Sequence, residues 1–185
     1  MTGSGPSRRG IALVGYRGTG KSTVGRIVAG RLGRPFVDAD TALEARFGRP
    51  IREIFWDLGE PVFRDWEEQV LADLTAGGDL VLATGGGAVL RGSNCKALRA
   101  FGFVAWLSAP PGLLAARLGA NPAAVAGRPA LTGAGTLGEI AEVLAAREPL
   151  YREAADVEVP TEGRSPSEVA EAVIAALPRG YEECD

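Results

Sequence analysis

The segment 15–23 constrains the fold of this chain more than any other stretch, because it fits the phosphate-loop pattern G-x-x-x-x-G-K-[ST]. The apolar run 11–14 before it predicts a buried strand, and the residues from Ser22 onward predict the first turn of a helix. In such a unit, glycines let backbone N–H groups turn around a phosphate, and the helix N-terminus adds its positive end. The alternative is a glycine-rich turn that happens to carry a lysine. The full pattern in its strand, loop and helix context predicts nucleotide binding.

Two side chains in this loop have specific chemical tasks. Lys21 would reach the β- and γ-phosphates, and the Ser22 hydroxyl would take a place on Mg²⁺. Lys21 and Lys96 are the only lysines among 20 basic residues, so a lysine in the loop indicates a need for its compact charge. Thr23 is expected to support the start of the helix. The residues assigned to the nucleotide here are Gly18, Thr19, Gly20, Lys21, Ser22 and Thr23.

The composition indicates one globular domain of 185 residues, 46% hydrophobic and 23% charged, which can build a core without disulfides. A net charge of −3 provides no general attraction to nucleic acid, and the chain has no histidine to act as a catalyst. No apolar run approaches the length of a membrane span, and residues 1–9 lack the apolar core of a signal peptide. We therefore expect a cytoplasmic monomer without nucleic-acid or membrane partners.

Apolar runs and helical patterns alternate along the chain. This alternation favours an α/β fold, a three-layer sandwich with a central five-stranded parallel sheet of the P-loop type. The predicted strands are residues 11–14, 36–37, 80–83, 103–107 and 157–159. A single P-loop domain is expected over residues 10–178, between a flexible N-terminal tail, 1–9, and a C-terminal tail, 179–185.

Three local expectations concern packing and helix starts. Phe55 and Trp56 are predicted to pack into the interior. Ser93 is predicted to cap the helix that follows it. Ser165, three residues before Glu168, is predicted to begin the last helix.

Two acids follow the second predicted strand. Asp38 and Asp40 alternate, which places both carboxylates on the same side of an extended chain. They stand at a strand's carboxyl end, where open α/β sheets bind ligands, and a P-loop kinase needs an acid near Mg²⁺. The alternatives are that Asp40 is only the N-cap of a helix beginning near Thr41, and that Asp38 is a solvated turn acid.

Two further candidates lie in the middle of the chain. Arg64 and Glu67 are three residues apart on a predicted helix, so they can pair and hold the guanidinium in position, or form an ordinary surface ion pair. The glycines 85–87 follow a buried strand. They would let backbone N–H groups approach a ligand closely, although a glycine turn with no ligand is also possible.

The segment 119–133, rich in Gly, Pro and Ala, is predicted to be a mobile lid, because long loops without structure of their own often cover active sites. Arg117 stands at its entrance and Arg128 in its middle. Arg128 could arrive over the phosphates as an arginine finger, or be a solvated loop charge. Arg147 precedes Pro149 on the next predicted helix, where the alternative is an exposed helix charge.

These motifs together resemble those of the shikimate kinases, small members of the nucleoside monophosphate kinase-like P-loop proteins. The resemblance covers residues 11–177 and depends on joint order and spacing, since each motif alone is weak. In chain order the motifs are the loop 15–23, Asp38-Ala39-Asp40, Gly59-Glu60, Phe63-Arg64, Gly85-Gly86-Gly87, Arg128-Pro129, and Arg147 before Pro149-Leu150-Tyr151.

The resemblance implies how an acceptor would be held. Asp40 would accept hydrogen bonds from ring hydroxyls, Gly86 would donate its N–H, and Arg64 and Arg147 would clamp the carboxylate of shikimate. Phe63 would form an apolar wall beneath the ring. The implied substrate-binding set is Asp40, Phe63, Arg64, Gly85, Gly86, Gly87 and Arg147.

The resemblance also implies in-line transfer of the γ-phosphoryl group of ATP to a ring hydroxyl, giving shikimate 3-phosphate for aromatic amino acid biosynthesis. Asp38 would work with Ser22 around Mg²⁺, and Arg164 would lie near the adenine. Asp40, with or without Asp38, is the candidate proton acceptor. The implied catalytic set is Lys21, Asp38, Asp40 and Arg128.

Two departures from the family pattern and two rival functions remain. Leu58 stands where the family often has Asp, and Ala130 where it commonly has Leu. One rival is a kinase for another small acceptor, such as gluconate or a nucleoside monophosphate. The other is a regulatory module that binds nucleotide without turnover, which the retention of every charged motif residue disfavours.

Overall fold

The computed structural model of this chain describes residues 9–120 and 137–181. Strands and helices alternate through most of this range. The strands are β1 (Gly10–Val14), β2 (Phe36–Asp38), β3 (Val81–Ala83), β4 (Gly102–Ser108) and β5 (Val157–Pro160). The helices are α1 (Lys21–Leu32), α2 (Ala39–Phe47), α3 (Ile51–Ala76), α4 (Gly92–Phe101), α5 (Pro111–Ala120), α6 (Leu137–Ala154) and α7 (Pro166–Ala175), with a short 3-10 turn at Ala88–Leu90.

The five strands form one parallel sheet in the order β2-β3-β1-β4-β5, which confirms the predicted fold class. β1 is central, with Ile11 aligned with Val81 on one side and with Phe103 on the other. Because all strands run the same way, the segments that follow β1, β2 and β3 leave the sheet at one edge. This edge brings together the phosphate loop, the two acids and the glycines 85–87.

Alternate residues of β1 face opposite sides of the sheet, and this divides the core into two layers. Ile11 and Leu13 pack with residues of α1 and α7, such as Val28. Ala12 and Val14 belong to the other cluster, to which α4, α5 and α6 contribute. A sheet covered on both faces requires apolar side chains at every position of β1, as the sequence has.

The region between β2 and β3 forms a smaller apolar cluster beside the sheet. Its buried members are Leu43, Ile51, Ile54, Phe63 and Val70. The helix α3 breaks at Gly59, whose φ of 83° and ψ of 168° lie outside the helical region, so the chain makes two helical segments here. The prediction that Trp56 is buried is wrong, because it is 86% exposed, whereas Phe55 packs against Phe63 at a ring distance of 4.5 Å.

The helix starts rule out one alternative, contradict one prediction and confirm another. The helix after β2 begins at Ala39, so Asp38 rather than Asp40 is its N-cap. α4 begins at Gly92 after Arg91, so the prediction that Ser93 is the cap is wrong. Ser165 caps α7 as predicted, in a reciprocal pair of hydrogen bonds with Glu168.

The first and last described residues lie close together at the amino end of the strands, opposite the edge that carries the phosphate loop. The buried Arg34 guanidinium donates to the carbonyl oxygens of Arg9 and Tyr181. Tyr181, within the predicted C-terminal tail, contacts Phe103 edge-on at 6.3 Å. Over the described residues, no helix is both long and apolar enough to cross a membrane.

Candidate active site

The phosphate loop holds its shape through its own backbone and two of its side chains. The Lys21 Nζ donates to the carbonyl oxygens of Gly15 (2.7 Å) and Tyr16 (2.9 Å), and the Thr19 hydroxyl donates to Tyr16 at 2.8 Å. Gly20, with φ 92°, caps α1 in a left-handed conformation that a side chain would strain. The lysine charge is therefore fixed at the N-terminus of α1, where the helix end also favours an anion.

A hydroxyl and a carboxylate meet beside the loop. The Ser22 hydroxyl donates to Asp38 Oδ2 at 2.5 Å. The other carboxylate oxygen of Asp38 accepts from the backbone N–H groups of Asp40 (3.1 Å) and Thr41 (3.3 Å). Two hard oxygen donors at the phosphate loop fit Mg²⁺, which keeps several waters and takes its other ligands from phosphates. Within the described residues no cluster of three or more acidic, cysteine or histidine side chains could hold a metal by itself.

Both predicted acids line one cavity of about 520 Å³ together with the phosphate loop. The geometry behind the prediction was partly wrong, because only Asp38 lies on the extended chain and Asp40 is in the first turn of α2. Lys21 and Arg17 also line this cavity. Gly86 lines the cavity beside the loop, where a Cβ on Gly86 would lie 3.2 Å from the backbone nitrogen of Arg17.

Arg64 is held by two glutamates at the N-terminal half of the second segment of α3. Its Nη1 donates to Glu67 at 2.7 Å, and its Nε (3.1 Å) and Nη2 (2.9 Å) donate to Glu60. Arg64 and Glu67 are both buried, so their pairing is confirmed and the surface-pair alternative is wrong. Burial lowers the pKa of Arg64, but the charges of Glu67 and Glu60 outweigh it and raise the pKa above its ordinary value.

The glycines 85–87 form a tight junction between three parts of the protein. A Cβ on Gly87 would lie 2.5 Å from both terminal nitrogens of Arg64. The Gly86 carbonyl accepts from the Tyr151 hydroxyl at 2.5 Å and from Arg147 Nη1 at 3.2 Å. α3, α6 and the strand end therefore converge here, which brings the two predicted clamp arginines to the same turn. Gly85 is buried, and its carbonyl accepts from the backbone N–H of Ala88, three residues later, at 3.1 Å.

The remaining predicted substrate residues, Arg147 and Phe63, are not among the residues that line this cavity. Arg147 is partly exposed, with its guanidinium 6.0 Å from the centre of the buried Tyr16 ring, so it is not the fully exposed helix charge of the alternative. Phe63 has no exposed surface and lies beneath the Arg64 guanidinium at 5.0 Å. The expected apolar wall at Phe63 is thus a support for Arg64 in this structure, without a face open to the cavity.

A second cavity of about 300 Å³ adjoins the first at Gly18 and Gly20. Arg117 lies across it, donating to the Gly18 carbonyl at 3.2 Å and to the Thr161 hydroxyl at 3.0 Å. Arg164 and Thr23 also line it, and the placement of Arg164 near the adenine stays a prediction. Arg128 and most of the predicted lid lie outside the described residues.

The sequence patterns assigned no role to Arg17, Arg117 and Tyr151, which the structure brings to the site. Arg17 lies inside the loop motif, and its Nε is buried without a hydrogen-bond partner among the described residues. The position of Arg117 before the predicted lid was a possible signal. Tyr151 belongs to the motif that follows Arg147, but the motif does not indicate its contact with Gly86, which is 65 residues away. Burial raises the pKa of Tyr151 to about 12, with the Arg147 charge opposing it, so the hydroxyl stays a donor.

Comparisons with known proteins identify one family. The family model "Shikimate kinase" matches residues 17–178. Shikimate kinases of Symbiobacterium thermophilum and Pseudomonas savastanoi pv. phaseolicola are 47% and 45% identical, covering 90% and 91% of this chain and 95% and 96% of theirs. The solved shikimate kinase from Acinetobacter baumannii in complex with shikimate is 37% identical over 90% of each chain, with a TM-score of 0.84. A gluconokinase from Sinorhizobium meliloti covers 92% of each chain at 17% identity and a TM-score of 0.53, which is a likeness of fold alone.

Proposed function

The chain belongs to the shikimate kinase family, and we propose that it transfers the γ-phosphoryl group of ATP to a ring hydroxyl of shikimate, giving shikimate 3-phosphate. ATP is the co-substrate of this family. The observation that carries the proposal is the meeting of Arg64 and Arg147 at the glycines 85–87, beside a phosphate loop. A carboxylated acceptor bound there would lie next to the transferable phosphoryl group.

The nucleotide side of the reaction belongs to the loop and its flanks. Lys21, already fixed on the loop carbonyls, would turn its charge to the β- and γ-phosphates. Ser22 and Asp38 would hold Mg²⁺ instead of each other. When bound, this ion supplies positive charge to the phosphate oxygens. Arg117 and Arg164, on the second cavity, are proposed to contact the base and ribose end of ATP.

The acceptor side is built from α3, α6 and the glycine turn. Arg64 and Arg147 are proposed to bind the carboxylate, because a planar guanidinium suits it bidentately. Gly86 and Asp40 both line the cavity. These two would orient the ring hydroxyls with respect to the phosphate loop. Gly85 and Gly87 would shape the turn, and Phe63 would support Arg64 from below.

Of the two acids, we propose that Asp40 accepts the proton of the attacking hydroxyl. Asp38 has one oxygen bonded to Ser22 and the other to two backbone N–H groups, so its geometry suits metal binding. The chain has no histidine that could act instead. Orientation and charge neutralisation would supply most of the rate, with proton removal by Asp40 a smaller contribution.

Several features of this proposal are predictions from sequence and family. They are the closing of a lid over about 119–133 with Arg128 as arginine finger, the need for Mg²⁺, a monomeric state and a cytoplasmic location. Gluconate remains a weaker alternative, since the likeness to a gluconokinase extends to the fold alone. A non-catalytic nucleotide-binding module is the alternative of a different class.

The test is ADP release with Mg·ATP and no acceptor, shikimate, quinate, gluconate or a nucleoside monophosphate in parallel. We expect stimulation by shikimate far above that by the other acceptors. Equal or greater stimulation by gluconate would assign the site to another acceptor. ATP binding without stimulation by any acceptor would favour the non-catalytic module.

A further inference from the structure

The Arg64 guanidinium already holds carboxylates in the acceptor-free protein. One carboxylate oxygen of Glu60 accepts hydrogen bonds from both Nε and Nη2, and Glu67 accepts one from Nη1. These are the donors with which a guanidinium binds an incoming carboxylate. Two of the five N–H groups of Arg64 make no bond to these glutamates, and both belong to the terminal nitrogens, which lie against Gly87.

The two glutamates differ in how firmly they are held. The Glu67 side chain is 3% exposed and lies on the continuous part of α3, whereas that of Glu60 is 44% exposed. Glu60 directly follows the break at Gly59 and stands in the first turn of the second helical segment. Within the described part of the chain, Arg64 is the only hydrogen-bond partner of the Glu60 carboxylate. Glu60 can therefore leave for water at low cost, and Glu67 cannot.

The guanidinium itself has little freedom to move toward a new partner. Its carbon lies 5.0 Å from the centre of the Phe63 ring, and a Cβ on Gly87 would already clash with its terminal nitrogens. The Arg64 side chain is 9% exposed. The terminal edge of Arg64 lies against Gly87, whereas the Nε and Nη2 edge faces the half-exposed Glu60, so the edge that Glu60 now occupies is the more accessible to an acceptor.

We propose that Glu60 is an internal stand-in for the acceptor carboxylate: it occupies the Nε and Nη2 edge of Arg64 until the acceptor displaces it into solvent. This rests on the proposed function, because it requires a carboxylated acceptor at Arg64. Three carboxylates crowded on one guanidinium would repel one another, so the acceptor replaces Glu60 and does not join it. Glu60 keeps Arg64 paired and ordered when the site is empty, and it weakens acceptor binding by competing with it.

The direct measurement is calorimetric titration of shikimate into wild type, Glu60→Gln and Glu60→Asp, without nucleotide. Glutamine removes the charge, and aspartate shortens the side chain by one methylene, so both weaken the competitor. A half-exposed ion pair of this kind corresponds to roughly a two- to fivefold change in an equilibrium constant. We expect shikimate to bind about two- to fivefold more tightly to both variants, and KM for shikimate to fall while kcat changes little.

The same titration with shikimate methyl ester separates displacement from general loosening of the site. The ester has no carboxylate to compete with Glu60, so its affinity should not increase in either variant. Glu68→Gln is the matched control, since it removes the same charge from the same helix but Glu68 pairs with Arg91 and not with Arg64. It should leave the shikimate dissociation constant unchanged.

Unchanged or weaker shikimate binding in both Glu60 variants overturns the proposal, as does an equal gain for the methyl ester. Melting curves establish that each variant is folded before titration, and the two substitutions give independent readings. Absence of shikimate-stimulated ADP release in the wild type would instead refute the proposed function, whatever the Glu60 variants do.

Discussion

Gly87→Ala is the substitution that most directly tests the contact between the glycine turn and the predicted acceptor clamp. A Cβ at this position would lie 2.5 Å from Nη1 and Nη2 of Arg64 and 2.7 Å from its guanidinium carbon. The backbone of Gly87, with φ −108° and ψ 6°, is open to alanine. The substitution therefore acts on Arg64 and leaves the turn unstrained.

The magnitude follows from the distance that the guanidinium must move. Ordinary contact between such atoms needs about 3.5–4.0 Å, so Arg64 has to retreat by roughly 1–1.5 Å. A displacement of that size removes a charged hydrogen bond to the acceptor, worth about 1.5–3 kcal/mol. The dissociation constant for shikimate should rise by about 10- to 150-fold, and ATP binding at the phosphate loop should be unaffected.

The assay is titration of shikimate by calorimetry, with KM for shikimate and for ATP measured on the same preparation. Gly92→Ala is the matched control, because a Cβ there has nothing within 4 Å. A dissociation constant within twofold of wild type in folded Gly87→Ala would refute the reasoning. It would mean that the end of Arg64 can yield without loss of the acceptor contact.

Three further predictions test other parts of the site. Lys21→Met should lower kcat by about 10²-fold or more in a folded protein, because a preorganised charge at the phosphates is lost; retained turnover would refute the role of Lys21. Asp40→Asn should lower kcat by about 10²-fold while the shikimate dissociation constant changes less, and a kcat within threefold of wild type would remove Asp40 as the proton acceptor. Burial raises the pKa of Tyr151 to about 12. Between pH 10 and 12 the unfolded chain therefore loses the Tyr151 proton while the folded protein keeps it. The stabilising contribution of Tyr151 falls over that range as the pH rises. Denaturant unfolding should therefore show wild type losing about 2–3 kcal/mol more than Tyr151→Phe over that range, and equal losses would contradict the raised pKa.

Much of the fold could be predicted from local patterns. The strands β1 and β3 are short apolar runs without polar residues, because both faces of the sheet are covered. The stop at Gly33 and the cap at Ser165 are signals within one or two turns of helix. Such features depend on neighbours in sequence, so a pattern along the chain contains them.

The sequence patterns left the structure open where the type of a residue suits two structural roles. Trp56 suits a core, but it lies on the face of α3 away from the small apolar cluster and is exposed. Asp38 and Asp40 are both able to cap a helix, and the end of β2 decided that Asp38 does so. Ser93 is a good cap by type, yet α4 begins one residue before it. In each case tertiary packing chose between options of similar local free energy.

The sequence by itself determined the phosphate loop, the alternation that makes a parallel sheet, and the pairing of Arg64 with Glu67 one helical turn away. Only the tertiary structure decided that Gly87 lies against Arg64, that Gly86 accepts from Tyr151 and Arg147, and that Arg117 reaches Thr161. Local hydrogen bonds follow from the period of a helix or strand, and the spacing of residues along the chain reveals that period. Contacts between distant segments follow from how the buried faces of the helices pack on the sheet. This packing brings Arg64 and Arg147 to the turn formed by the glycines 85–87.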